Sequence, residues 1–187
     1  MTRVGFGTSI ITPPTPVALA GFSGRTGAAH EVHDDLEVRA VVLGDLCLIV
    51  CDLLGMSKEF SGPVRDAVAE RLGIGRAAVL TSCIHTHAGP SCIAGGEQLG
   101  WPTPEGYLDR LVDACVDAAT SARAAAVECE LRHVRADLPD GLSINRRGNP
   151  YAPWFAVVDA VAGGERVGTI VNIAVHPVAI GRDIDVV

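Results

Sequence analysis

Val79-Leu80-Thr81-Ser82-Cys83-Ile84-His85-Thr86-His87-Ala88-Gly89-Pro90-Ser91-Cys92 is the stretch on which the reading of this chain turns. Residues 78–84 are apolar, small or β-branched, a composition that suits a buried strand. Side chains two apart on a strand share a face. His85 and His87 are therefore expected to point at one spot, with Thr86 turned away. Gly89-Pro90 breaks the strand immediately afterwards. Two imidazoles on one face at a strand end suit half of a zinc site. A lone His-x-His also occurs as a hydrogen-bonded or surface pair, so the motif needs a partner.

A second stretch supplies one. Gly168-Thr169-Ile170-Val171-Asn172-Ile173-Ala174-Val175 is apolar, then comes His176, then the breaker Pro177. Taken alone, His176 reads as a hydrogen-bonded edge histidine. Together, His85, His87 and His176 can form an open zinc site with water in the fourth position. Two further places are rich in potential ligands. His30-Glu31-Val32-His33-Asp34-Asp35 is a polar cluster, and Asp52 closes an apolar run. A carboxylate at the end of a buried strand serves either a site or the capping of the next segment.

The rest of the chain frames these residues. Residues 4–11 predict a strand, ended by the extended Thr12-Pro13-Pro14-Thr15-Pro16. The glycine-rich loop of residues 21–27 lacks phosphate-binding spacing and opens no helix, which excludes a nucleotide site there. Residues 37–43 and 46–54 predict a hairpin over Gly44-Asp45. The second of these strands is apolar on both faces and is expected to be central. Ser61-Gly62-Pro63 predicts a helix start and Gly73 its end. Thr103-Pro104-Glu105 predicts a second helix, running to about residue 125. Residues 128–135 alternate as a strand, residues 145–150 form a loop, and residues 154–161 and 167–175 predict a hairpin over Gly163-Gly164. The expected fold class is α/β, a mixed β-sheet core with flanking helices. The strand–helix–strand segment makes a right-handed crossover if its strands are parallel.

Composition narrows the function classes. The 187 residues are enough for one domain with a core. Mean hydropathy is high, +0.31, yet no apolar run approaches the roughly 18 residues of a membrane span. The first residues, Met1-Thr2-Arg3-Val4-Gly5, lack a signal-peptide core, so a cytoplasmic location is expected. A net charge of −7 with scattered basic residues argues against nucleic acid or an anionic membrane as partner. Six cysteines without a Cys-x-x-Cys fit reduced, buried thiols. Cys92, just past the histidine stretch, is the one candidate for reactivity, with packing as its other reading.

Ile84-His85-Thr86-His87-Ala88-Gly89-Pro90 resembles the Thr-His-Thr-His-Ser-Gly-Pro hallmark of the neutral ceramidase family, zinc-dependent N-acylsphingosine amidohydrolases. Asn172-Ile173-Ala174-Val175-His176-Pro177 is similar to the family's third-histidine strand, and Ser143-Ile144-Asn145-Arg146 to its Asn-Arg-Ser-Pro loop, though Arg147-Gly148 departs from it. Val4-Gly5-Phe6-Gly7, Ile11-Thr12-Pro13-Pro14, His33-Asp34 and Asp52-Leu53-Leu54-Gly55 follow the family in the same order, so the likeness covers nearly the whole chain.

The resemblance implies Zn2+ as cofactor, with His85 and His176 as ligands and His87 either a ligand or next to one. His87 and Arg146 would be the catalytic groups, Arg146 holding substrate polar atoms or a developing oxyanion. His33, Asp52 and Asn145 are the further residues expected around the metal. The implied activity is hydrolysis of an N-acyl amide, ceramide-like or other, within lipid and sphingolipid metabolism. Members of the family draw a carboxylate, a tyrosine and a serine from chain beyond this point. Residues 1–187 are thus expected to be the N-terminal portion of a single catalytic domain, incomplete and inactive alone, completed by a missing C-terminal half or by a second chain. A zinc peptidase or esterase shares the three-histidine logic. A non-catalytic metal-binding or assembly subunit fits a chain without the remaining half.

Overall fold

The computed structural model describes residues 1–143, 145, 147–148, 154–176 and 186–187. Among these, seven strands form one sheet: β1 (Thr2–Ile10), β2 (Glu37–Leu43), β3 (Leu46–Cys51), β4 (Val79–Cys83), β5 (Val127–Asp137), β6 (Trp154–Ala162) and β7 (Glu165–Ile173). Their order is β4-β3-β2-β1-β5-β6-β7. All neighbouring pairs are antiparallel except β3 and β4, which run parallel. The mixed sheet with flanking helices is thus the expected α/β class. The two hairpins form as the turn residues dictate, Gly44 at φ 57° and Gly163 at φ 59°.

Two helices, α1 (Lys58–Leu72) and α2 (Tyr107–Ala124), accompany the sheet. Both start elsewhere than the sequence suggests. α1 begins upstream of Ser61 because the Ser57 carbonyl closes its first turn on the Phe60 and Ser61 N–H groups, at 3.1 and 2.9 Å. Pro63 therefore lies inside the helix. α2 begins after Gly106, at φ 68°. The expected cap, Thr103, instead donates its hydroxyl to the Ser91 carbonyl at 2.9 Å. Tertiary partners hold both starts: the Ser57 N–H donates to the Cys92 carbonyl at 3.0 Å, and the Thr103 hydroxyl is taken by Ser91.

α2 buries Tyr107, Leu111, Ala114, Cys115, Ala118, Ala119 and Ala122, a stripe with helical period. It packs against the β1 backbone at unusually close range. A Cβ on Gly5 would lie 1.9 Å from the Ala122 carbonyl oxygen, and one on Gly7 would lie 2.3 Å from that of Ala118. The main core lies here, with Val38, Ala40, Val42, Cys47, Ile49 and Cys51 of β2 and β3 facing the helices.

The other end of the sheet curls. β5 pairs with β1 only through residues 127–129 and with β6 through residues 130–137, so it serves as the corner strand. A register irregularity at Ala160/Val161 on β6 adds local twist. Beside it, Gly168 of β7 comes down on Phe6 of β1; a Cβ there would sit 2.4 Å from the Phe6 ring. Val4, Val41, Cys129 and Ala160 form a second, smaller core in this fold.

All six cysteines are free. Burial pushes the Cys47 thiol up to about 11 and those of Cys83 and Cys92 up to about 12. Cys92 is fully buried in the main core, so it is a packing residue. A thiol reagent at pH 8 should react slowly with the native protein and recover all six thiols after denaturation without reductant. Recovery of two or four would mean disulfides.

The close helix–sheet contact gives a paired stability test. Gly5→Ala should lower the free energy of unfolding by about 1–3 kcal/mol through overpacking. Gly62→Ala, inside α1 with its nearest neighbour at 3.8 Å, should raise it by roughly 0.5–1 kcal/mol. Denaturant titration measures both; equal effects would contradict the packing described.

Candidate metal centre

The parallel strands β3 and β4 end together, and the site is built where they stop. The Cys51 carbonyl accepts the Ile84 N–H at 3.1 Å and the Leu53 carbonyl accepts the His85 N–H at 3.0 Å. The Leu54 carbonyl then takes the His85 Nδ1–H at 2.7 Å. That bond fixes the tautomer of His85 and leaves Nε2 unprotonated, its lone pair available to a metal ion.

The histidines do not sit on a strand face. β4 stops at Cys83, and His85 adopts φ 69°, a left-handed conformation uncommon outside glycine. This turn, rather than strand alternation, brings His87 round to His85. Their ring centroids lie 5.2 Å apart. His176 follows the end of β7 and completes the group, 4.9 Å from His85 and 5.2 Å from His87 between centroids. One nitrogen of each ring can be chosen so that all three lie within 4.8 Å of one another.

β4 and β7 are the two outermost strands in the sheet order. In a flat sheet, six spacings of about 4.8 Å would hold them roughly 29 Å apart. The curl between β5 and β7 is what lets the three imidazoles meet.

His87 has both ring nitrogens buried and without a hydrogen-bond partner among the described residues. Burial holds its pKa below the usual histidine value, and the neighbouring His85, His176 and Arg25 add to the shift. A neutral imidazole with a free lone pair is what a metal takes. The donor set, three imidazoles with one tautomer fixed by a backbone carbonyl, fits zinc.

Asp52, His33 and Asn145 each have partners of their own among the described residues. Asp52 accepts the Glu37 N–H at 3.0 Å on one oxygen and the Arg39 guanidinium at 2.6 Å on the other. Arg39 also pairs with Glu37 at 2.8 Å, and its pKa is raised, most by the hydrogen bond to Asp52. Asp52 thus ties strand ends together. His33 is exposed and bonded to Asp34 at 2.8 Å. Both line a separate cleft of about 580 Å3 with Asp34, Asp35, Ile84 and Thr86, and none of the three histidines borders it. Asn145 accepts the Arg147 N–H on its side-chain oxygen at 3.0 Å. In the same loop, the Ser143 hydroxyl donates to the Ala174 carbonyl at 3.5 Å, just before His176. Arg146 lies outside the described residues. The histidine group contains no carboxylate among the described residues.

An α/β sheet carrying a three-histidine group at its strand ends defines a candidate metal-site scaffold, and the comparisons with known proteins narrow the fold further. The chain superimposes on the crystal structure of neutral ceramidase from Pseudomonas aeruginosa with a TM-score of 0.83 and 21% identity, over 100% of this chain and 34% of that one. A structure described as ceramidase complexed with C2 gives a TM-score of 0.81 and 22% identity, over 100% and 33%. The fold is therefore that of part of the neutral ceramidase structure, and the chain spans about a third of the length of these neighbours. No family model and no curated protein sequence matches it. No helix among the described residues is long and apolar enough to cross a membrane.

Asp52→Ala separates the two readings of that carboxylate. It leaves the Glu37 N–H and the Arg39 Nη1 without their acceptor, while Arg39 Nη2 keeps Glu37, and should cost about 1–3 kcal/mol of stability. Zinc retention, measured on the same sample by elemental analysis, should not change. Lost zinc with unchanged stability would put Asp52 at the metal.

Proposed function

We propose that this chain carries the metal-holding part of a zinc-dependent amidohydrolase that cleaves an N-acyl amide, a ceramide-like lipid being the substrate its fold neighbours suggest. The observation that carries this reading is the convergence of His85, His87 and His176 from the two outer strands of the sheet, with donor atoms within 4.8 Å of one another. The likeness of the whole chain to neutral ceramidase supports it.

In this reading His85 and His176 hold the ion and His87 is the third imidazole of the group. Zinc bound there would polarise an amide carbonyl and lower the pKa of a bound water. The chain's own contribution is positional. The Leu54 carbonyl orients His85, and burial keeps His87 neutral and able to accept a proton. Arg146 is proposed to hold the carbonyl oxygen as charge develops on it.

The test begins with metal content. The protein should bind zinc, His85→Ala and His176→Ala should lose it, and unchanged stoichiometry in both variants would end the proposal. Acid should release the metal, because ligand imidazoles must be neutral. The protein without metal should also lose stability as the pH falls below about 6.5, since the unfolded chain protonates His87 more readily than the folded one. Zinc-dependent turnover of a panel of N-acyl amides including ceramide is then compared between residues 1–187 and a chain extended past Val187. Turnover of esters or peptides alone would redirect the reading to an esterase or peptidase.

A further inference from the structure

The segment from Ala20 to Arg25 meets the far side of the histidine turn at four points. The Ala20 N–H donates to the Gly89 carbonyl at 2.9 Å. Gly21, at φ 109°, lies against the Cγ and Nδ1 edge of the His87 ring, so close that a Cβ there would be 2.5 Å from both atoms. Phe22 packs edge-on to the same ring, with centroids 4.5 Å apart at 64°. Arg25 donates from Nη1 to the His87 carbonyl at 2.7 Å, and its guanidinium lies over the Phe22 ring, 4.9 Å from the centroid.

We infer that Gly21, Phe22 and Arg25 are positioning residues for His87: Gly21 is the seat of the imidazole, Phe22 its side wall and Arg25 the clamp on its backbone. His85 is held by two hydrogen bonds to the exit of β3. His87 has no such bond on its ring among the described residues. Packing alone must therefore select its rotamer, and the strap supplies that packing. Only glycine leaves room at position 21, because any side chain would push the imidazole off its place. Arg25 suits the clamp because a planar guanidinium can donate to a carbonyl while stacking on an aromatic face. This inference deepens the metal reading and rests on it for its consequence, although the seating of His87 can be read without metal.

The loop contains its own control. Gly24 has φ 79°, and a Cβ there would meet nothing within 4 Å, so Gly24→Ala brings backbone strain without touching His87. Histidine-labelled protein is compared by nitrogen-15 NMR in wild type, Gly21→Ala and Gly24→Ala, with His87→Ala assigning the signal. Gly21→Ala should move the His87 ring resonances and leave those of His33 in place, and Gly24→Ala should move neither. Zinc affinity, measured by chelator competition, should fall about tenfold or more in Gly21→Ala and stay unchanged in Gly24→Ala. In a His87→Ala background, Gly21→Ala should cost no further affinity. Arg25→Lys should restore part of what Arg25→Ala loses. Should Gly21→Ala fail to fold, Phe22→Leu reads the same displacement. Equal effects of the two glycine variants, or full additivity with His87→Ala, would overturn the strap. A wild type that binds no zinc would overturn the metal reading alone, and the His87 resonances would still decide the strap.

Discussion

Everything at the histidine group depends on one constraint: the two outer strands of a seven-stranded sheet have to be brought together. His85 and His87 follow β4 at one end of the strand order and His176 follows β7 at the other. The curl that joins them is local. β5 leaves β1 after three paired residues and hands over to β6, the register of β6 and β7 slips at Ala160/Val161, and Gly168 of β7 settles on the Phe6 ring. A side chain at Gly168 would lift β7 from β1.

At the other end of the group the geometry is held by backbone rather than by side-chain packing. A left-handed non-glycine residue costs of order 1–2 kcal/mol. His85 adopts that conformation while its N–H and its ring nitrogen bond to the carbonyls of Leu53 and Leu54. At about 1 kcal/mol net for each such bond, the two offset the strain, and they do so only with the ring turned toward the site. The strain and its compensation belong to one device that aims an imidazole from the ends of two parallel strands.

These features differ in how far the residues announce them. The Gly44-Asp45 and Gly163-Gly164 hairpins, the β3–α1–β4 order and the three candidate ligands follow from short-range rules, because turn glycines, apolar runs and breakers act on their own neighbours. The left-handed His85 does not follow: alternation along a strand gives the same pair of histidines facing one way, so it predicts the right juxtaposition from the wrong backbone. Asp52 reads as a possible site residue because it closes an apolar strand. That it serves Arg39 and the Glu37 N–H is settled by pairing across β2 and β3, which no local pattern encodes. Gly21 reads as loop flexibility, and only the arrival of His87 from residues far along the chain makes its missing side chain informative. The helix starts are illegible for the same reason, since Ser57 and Thr103 answer to partners outside their own helices.

The state of His87 links these observations. Burying an imidazole with neither nitrogen bonded costs free energy, of order 1–3 kcal/mol for each unsatisfied group. Such a residue persists in a fold when something other than stability retains it. Hydrogen bonding of His87 to His85 or His176 would relieve the cost, yet His85 already commits one nitrogen to Leu54, and His87 has no partner among the described residues. Protonation is disfavoured by the same burial and by the cationic Arg25 beside it. What remains is an uncharged ring with an available lone pair, seated on Gly21 and facing two more imidazoles. A metal ion would use that lone pair directly, and as a base the ring would take a proton from a nearby water or substrate. Either use requires the ring to be held there by packing.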